Sequence, residues 1–362
     1  MLRLRVNQLT VLRIPAVRAR TLAIGLCLFA WTLSGTRAEA QFGPGSLTPI
    51  TDSLYRASNG AWHGIVLVTD EGILIGDTLN TNFATWLREE LTEQFPGIPV
   101  RYVVYSHSHW DHVEGGAVFA DTATFIGHER MLVNMDGRYP HMPGDMIDRN
   151  SNGTFEPEEF SIPANESPGV CGGRFMPDKD ADNNGSLSPA EYFSQVHPPD
   201  IVYSDRMRLD LGGHRVELIH PGRNHGDDMT VLYFPDDGVV FAADFLADAL
   251  VRDTMRSLPS ACGPFDGHKL SEWIDSYRVV EALEFDTLAA AHGDVFTRQD
   301  VTDTREYFEY LVQEVSGAIS EGLSLEEMKA TILLEPYRSW AQYDRLREKN
   351  IEAAYVNLTR YR

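Results

Sequence analysis

"YSHSHWDHVEGG", residues 105–116, sets His107, His109, Asp111 and His112 within six positions, directly after the apolar run "VRYVV" at 100–104. In extended or tightly turned chain, residues i and i+2 point the same way. His107 and His109 can therefore grip one cation. Asp111 and His112, past the turn, can face a second. Imidazole nitrogen and carboxylate oxygen are both suitable zinc ligands. A solvated loop that happens to be rich in histidine is the competing reading, and the position directly after an apolar strand argues against it.

Outward from this stretch the chain alternates strand and helix. "GIVLVTDEGILIGDTL" (64–79) reads as two strands around the turn Asp70-Glu71-Gly72. "TNFATWLREELTEQF" (81–95) spaces Phe83, Trp86, Leu87, Leu91 and Phe95 as a helix does. Strands resume from Ile201 in "RMRLDLGGHRVELIHPG", "MTVLYFP", "GVVFAADFL" and "TLAAAHGD". Residues 268–285 and 298–320 read as helices, and 324–361 as a further helical segment. The stretch 41–48 reads as loose chain. Sheets covered by helices suit this order.

Three more ionisable residues stand at the edges of core strands. His225 precedes "MTVLYFP", Asp244 ends "GVVFAAD", and His292 follows "TLAAA". A buried unpaired polar group there is costly, and shared metal coordination accounts for all three. His63, His128 and His214 read as surface or structural residues, and His220 as a residue that could line the pocket.

In this order the motifs resemble the metallo-β-lactamase superfamily: Asp77 in "LIGDTL", the cluster "HSHWDH", then His225, Asp244 and His292. The resemblance implies an α+β fold, a four-layer αβ/βα sandwich with metals at one edge of two sheets. It gives His107, His109 and His225 to one zinc, and Asp111, His112 and His292 to a second. Asp244 bridges the two, and Asp77 stands behind the histidine loop and orders it. Histidine rather than glutamate at 109 favours zinc over a di-iron pair. β-Lactamases of the superfamily usually carry Cys or Ser where this chain has Asp244. Aspartate there is the pattern of lactonases, glyoxalase-II-type thioesterases and phosphodiesterases. Those lactonases place a Tyr soon after that aspartate, whereas here Phe245, Leu246, Ala247 and Asp248 follow.

The expected chemistry is hydrolysis of a small ester, lactone, thioester, amide or phosphoester by a hydroxide bridging two zincs, with Asp111 orienting it or passing on a proton. The alternatives are a β-lactam hydrolase, an iron-dependent oxidoreductase, and a calcium-binding periplasmic interaction module on the same scaffold.

Residues 133–200 interrupt the pattern with Asp, Asn, Gly and Pro, and read as an insertion. Within it, "DRNSNGTFEPEE" (148–159) and "DADNNGSLSPAE" (180–191) each fit the calcium-loop pattern. Their ligands would be Asp148, Asn150, Asn152, Thr154 and Glu159, then Asp180, Asp182, Asn184, Ser186 and Glu191. Thr154 and Ser186 would act through backbone carbonyls, with Gly153 and Gly185 at the sharp turn. Phe155 and Leu187 take the apolar slot through which paired loops touch. Pro and Gly before each loop leave the entering helices short or absent, so the pair is EF-hand-like. Two calcium ions are expected, in a structural role.

The first 40 residues differ from the rest. Arg3, Arg5, Arg13, Arg18 and Arg20 precede "TLAIGLCLFAWTLSG" and a small-x-small "AEA" ending at Ala40. This is the pattern of a cleavable secretory signal peptide, too short to span a bilayer, which implies a periplasmic or secreted domain over 41–362 without stable membrane insertion. Cys171 and Cys262 remain after cleavage and are expected to pair across the insertion. The formal net charge of −22 excludes a polyanion such as nucleic acid as the natural partner and leaves a small-molecule substrate.

Overall fold

The computed structural model describes residues 44–135, 150, 152–160, 176–246, 256–259 and 268–360. The leader, Asp148, Cys171 and Cys262 lie outside the described residues, as do Ala247 and Asp248.

Two sheets form the frame. The first holds β1 (Gly45–Pro49), β2 (Leu54–Asn59), β3 (Trp62–Thr69), β4 (Gly72–Gly76), β5 (Val100–Val104), β6 (Thr124–His128) and β7 (Ile201–Tyr203), side by side in chain order. Pairing is antiparallel from β1 to β4 and parallel from β4 to β7. The second holds β8 (Arg206–Leu211), β9 (His214–Ile219), β10 (Val231–Phe234), β11 (Val239–Ala242), β12 (Thr287–Ala290) and β13 (Val295–Phe296), again consecutive neighbours. Only β11 and β12 run parallel there. The helices are α1 (Thr81–Gln94), α2 (Trp110–Val113), α3 (Glu129–Asn134), α4 (Pro189–Tyr192), α5 (Leu270–Glu281), α6 (Arg298–Ser320), α7 (Leu325–Thr331) and α8 (Tyr343–Arg360).

Side-chain alternation divides the first sheet between two cores. Ile65, Leu67, Leu74, Val104 and Ile126 join the second sheet and residues of α5, α6 and α8 in one cluster. Their neighbours Val66, Ile73, Ile75, Val103 and Phe125 turn the other way, onto Phe83, Ala84, Leu87 and Leu91 of α1. A period of two along a strand produces this division. Each such buried side chain contributes roughly 1.5–3 kcal/mol. The result is the expected α+β sandwich, helices outside and two sheets within.

α1 follows from its sequence. Asn80 is the N-cap, its side chain accepting from Phe83 N at 3.0 Å, as cap asparagines do. The apolar residues then recur on one face.

One expectation is corrected. The stretch 41–48 is not loose throughout: Gly45–Pro49 is β1, paired with β2 in full register. "GSLTP" has no strong strand signal of its own, and the pairing imposes one. Gly45 is required because a Cβ there would collide with the Trp86 ring. The C-terminal segment is helical as expected, in separate pieces. α7 ends at Thr331, Leu334 turns left-handed at φ 46°, and Pro336 lies in a short 3-10 turn before α8 begins.

Of the insertion, the described parts pack onto the outer core. Phe155, Met176, Leu187, Tyr192, Phe193 and Val196 are buried with α1 and the first sheet. Phe155 and Leu187 exchange backbone hydrogen bonds in both directions, at 2.7 and 2.9 Å. No helix among the described residues is long and apolar enough to cross a membrane.

Candidate metal centre

The strand ends set the site. Asp77 follows β4, His107 follows β5, Asp244 follows β11 and His292 follows β12, while His225 leads toward β10. Parallel strands end at a common edge, so ligands from remote parts of the sequence meet there.

Seven side chains form two adjoining clusters. Ligand atoms of His107, His109, His225 and Asp244 all lie within 4.8 Å of one another, and so do those of Asp111, His112 and His292. Asp244 faces both. Its Oδ2 is 3.4 Å from His107 Nε2 and 3.1 Å from His225 Nε2. Its Oδ1 is 3.3 Å from His112 Nε2 and 3.0 Å from His292 Nε2. Asp111 Oδ2 lies 3.6 Å from His112 Nε2 and 3.7 Å from His292 Nε2.

The donor chemistry fits two divalent cations. His107 Nε2, His112 Nε2 and Asp244 Oδ1 are buried and make no hydrogen bond, a costly state for polar atoms unless a cation takes their lone pairs. Burial, then the neighbouring His109 and His112, hold His107 well below the ordinary imidazole value. Burial and His225 push His109 down to about 3. Neutral imidazoles are the form that binds metal. Burial also opposes charge on His112, but Asp244, Asp111 and Asp77 outweigh it and raise that imidazole. Burial works against ionised Asp244, yet His112 and His292 hold its carboxyl well below the usual carboxylate range.

Behind the clusters stands a hydrogen-bonded frame. Asp77 Oδ1 accepts from Ser106 N at 2.7 Å, and its Oδ2 accepts from Ser106 Oγ at 2.7 Å and His112 Nδ1 at 2.8 Å. That fixes which His112 nitrogen faces the cluster, as partners behind metal-binding histidines generally do. Asp77 and Asp244 both have positive φ, 63° and 30°. Such strain in a non-glycine residue persists only when its surroundings over-determine it. Gly64 passes so close to the Asp77 turn that a Cβ would sit 2.7 Å from the carbonyl oxygens of Gly76 and Asp77.

Three contributors were not singled out in the sequence. Trp62 Nε1 donates to Asp111 Oδ2 at 3.0 Å. Asp228, buried three residues after His225, accepts from Ser108 N at 3.0 Å and pins the histidine loop from the second sheet. Asn224 Oδ1 accepts from His225 N at 2.6 Å. Asp228 and Asn224 flank a proposed ligand, which is a weak signal; Trp62 carried none. His220 does not join the clusters: it stacks on His128 and bonds Met229 O through Nδ1. His63 bonds Ser58 Oγ, His128 bonds Ser204 O, and His214 bonds Asp237.

In the insertion, carboxylate oxygens of Asp180, Asp182 and Glu191 gather within 4.8 Å. Gly153 and Gly185 have φ of 87° and 86°. Asn150 N donates to Glu159 Oε1 at 3.2 Å, and Thr154 N and Ser186 N bond the side chains of Asn152 and Asn184.

Comparison with known proteins agrees with this geometry. A family model described as the metallo-beta-lactamase superfamily matches residues 64–292. The chain is 21% identical over 297 residues to the 2,4-dinitroanisole O-demethylase subunit alpha of Nocardioides sp., covering 81% of this chain and 72% of that one. It is 23% identical over 282 residues to the linear primary-alkylsulfatase of a Pseudomonas species, covering 74% of this chain and 49% of that one. The solved stereoselective inverting sec-alkylsulfatase from Pseudomonas sp. superposes with a TM-score of 0.55 at 17% identity, over 86% of this chain and 50% of that one. The chain thus spans about half the length of the alkylsulfatases it matches.

Proposed function

The chain belongs to the metallo-beta-lactamase superfamily, and from its site we propose an exported dinuclear zinc hydrolase that cleaves a small ester-like substrate. The class comprises esters, lactones, thioesters, amides and phosphoesters; the two curated relatives add sulfate esters and aryl methyl ethers to the compounds worth testing. One observation carries the reading: the two oxygens of Asp244 divide between two histidine clusters.

His107, His109 and His225 would hold one zinc, Asp111, His112 and His292 the other, and Asp244 both. Bound there, the pair would supply Lewis acidity to the scissile group and acidify a water molecule. The chain's own groups do the rest. Asp111 is the proton carrier: its Oδ2 is held by Trp62, and it sits at the rim of the second cluster, only partly buried. It can take a proton from the attacking water and return it to the leaving atom. Asp77 keeps His112 in the tautomer that presents Nε2. Ser106 lies beside the cluster, but it is fully buried with its hydroxyl turned to Asp77, out of reach of a substrate, which points to water.

Calcium in the insertion is part of the same reading. The gathered carboxylates of Asp180, Asp182 and Glu191, the left-handed glycines and the Phe155–Leu187 pairing support two oxygen-lined loops that touch each other. Export rests on the leader sequence.

The test joins two measurements on the mature chain. Metal analysis of protein made without added zinc should find zinc in the catalytic clusters. Turnover should appear on a panel of lactones, thioesters, phosphodiesters, sulfate esters, aryl methyl ethers and β-lactams. Iron as the bound metal, or calcium alone with no turnover anywhere on the panel, would overturn the proposal.

A further inference from the structure

Asp111 and His292 belong to one cluster, but Asp111 follows β5 of the first sheet and His292 follows β12 of the second. A single residue reaches both. Trp62 opens β3 beside the β2–β3 turn, paired with Asn59 across Gly60, whose φ is 69°. This hairpin grips the β12–β13 turn from the opposite sheet. Trp62 forms a β-bridge with His292, His63 N donates to Ala291 O at 2.8 Å, and Arg56 bonds Gly293 O. The Trp62 and His292 rings meet edge to face, with centroids 5.7 Å apart.

The indole N–H turns to the other ligand. Nε1 donates to Asp111 Oδ2 at 3.0 Å, and Trp62 is 8% exposed. A buried indole usually finds a hydrogen-bond partner. Here that partner is a carboxylate, which makes the bond charge-assisted. Oδ2 is also the oxygen that faces His112 and His292. A carboxylate oxygen has lone pairs for two partners, so Oδ2 can accept from the indole and still hold a cation. The backbone of α2 does not depend on this bond. Thr78 N and Leu79 N donate to His112 O, at 2.9 and 3.1 Å, and Gly115 N donates to Leu79 O. Loss of the indole N–H therefore frees only the Asp111 side chain, which is 17% exposed and can turn to water. His109 and His112, on the same turn, keep their places.

We propose that Trp62 is a positioning residue for the second zinc: its indole holds Asp111, its backbone and ring hold His292, and two ligands from opposite sheets thereby keep one separation. The inference rests on the dinuclear reading above. These contacts fall on the second cluster, so the first zinc should bind much as before without them.

Trp62→Phe removes the N–H and keeps a ring against His292. Zinc titration of the full mature chain labelled with 15N-histidine reads each imidazole separately. In this variant His112 and His292 should saturate at about ten-fold higher free zinc than in wild type, the size typical of a partner behind a ligand, while His107 and His225 stay within roughly two-fold. The same substitution in an Asp111→Ala background separates positioning from general packing. There it should shift His112 and His292 by less than about two-fold, because the residue it acts through is gone. In the wild-type chain the Trp62 indole N–H signal should move as His112 and His292 fill, a readout that needs no variant to fold. Equal shifts at every imidazole in Trp62→Phe, no shift at any, or an undiminished effect without Asp111 would overturn the inference and leave the dinuclear centre standing. So would an indole signal that follows His107 and His225 instead. A wild-type chain whose imidazoles ignore zinc would remove the centre itself, and the inference with it.

Discussion

Two regions of this molecule gather side chains that could hold a metal ion, and they do so by opposite means. At the sheet edge, seven candidate ligands come from four places between residues 107 and 292 and meet only because two sheets are packed. In the insertion, the candidate ligands Asp180, Asp182 and Glu191 come from one short run and are held by bonds a few residues long, such as Gly185 N to Asp180 and Asn184 N to Asp182. The first site is buried and strained at Asp77 and Asp244. The second is solvent-exposed and closed upon itself. Order at the edge is therefore supplied by the core, whereas order in the loops falls to whatever neutralises their carboxylates. Perturbing the core should damage the first site through geometry. Removing cations should loosen the second and spare the rest.

The largest effect is expected at the edge. His225→Ala should abolish hydrolysis, by about a thousand-fold or more, and remove at least one zinc. Retained activity with two metals would break the ligand assignment. Next comes Asp77→Asn, which weakens the acceptor for Ser106 and His112 without emptying the space. Zinc affinity should fall about 10–100-fold, read by competition with a chelator.

Phe155→Ala then probes how far the insertion shares the core. This ring is 1% exposed, and its loss should cost about 3–5 kcal/mol by denaturant unfolding. A change under about 1 kcal/mol would mean the loops fold apart from the outer core. Smaller still is the calcium effect. A chelator that strips calcium and leaves zinc, or Glu159→Gln with Glu191→Gln, should lower the melting temperature by mass action, speed proteolysis between Asp136 and Asp200, and change KM more than kcat. Unchanged melting and proteolysis in both treatments would show that the folded loops bind no calcium.

A further effect is set by pH. His63 is pushed down from 6.5 to about 3, by burial first and then by Arg56 and His292. The unfolded chain binds that proton more readily, so stability falls as pH drops below about 6.5 and levels off below about 3. His63→Gln should flatten that part of the acid-unfolding curve.

Much of this was legible because local pattern and tertiary role coincide. β3 to β5 are apolar runs closed by turn residues, and "HSHWDH" follows β5 after only two residues. What was missed depends on contacts across the chain. β1 is a strand only because β2 offers a free edge. The C-terminal segment has helical spacing throughout, but Leu334 and Pro336 redirect it. Trp62 reaches Asp111 from 49 positions away, and nothing in "GAWHG" announces it.

The central claim is that one carboxylate, Asp244, joins two cation sites into one centre. Metal analysis of wild-type and Asp244→Ala protein, purified identically, tests it most directly. The account expects about two zinc ions per wild-type chain and less than one in the variant, because the side chain lost faces both clusters. A variant that keeps both ions, or loses only one and holds the other as tightly as before, would contradict it.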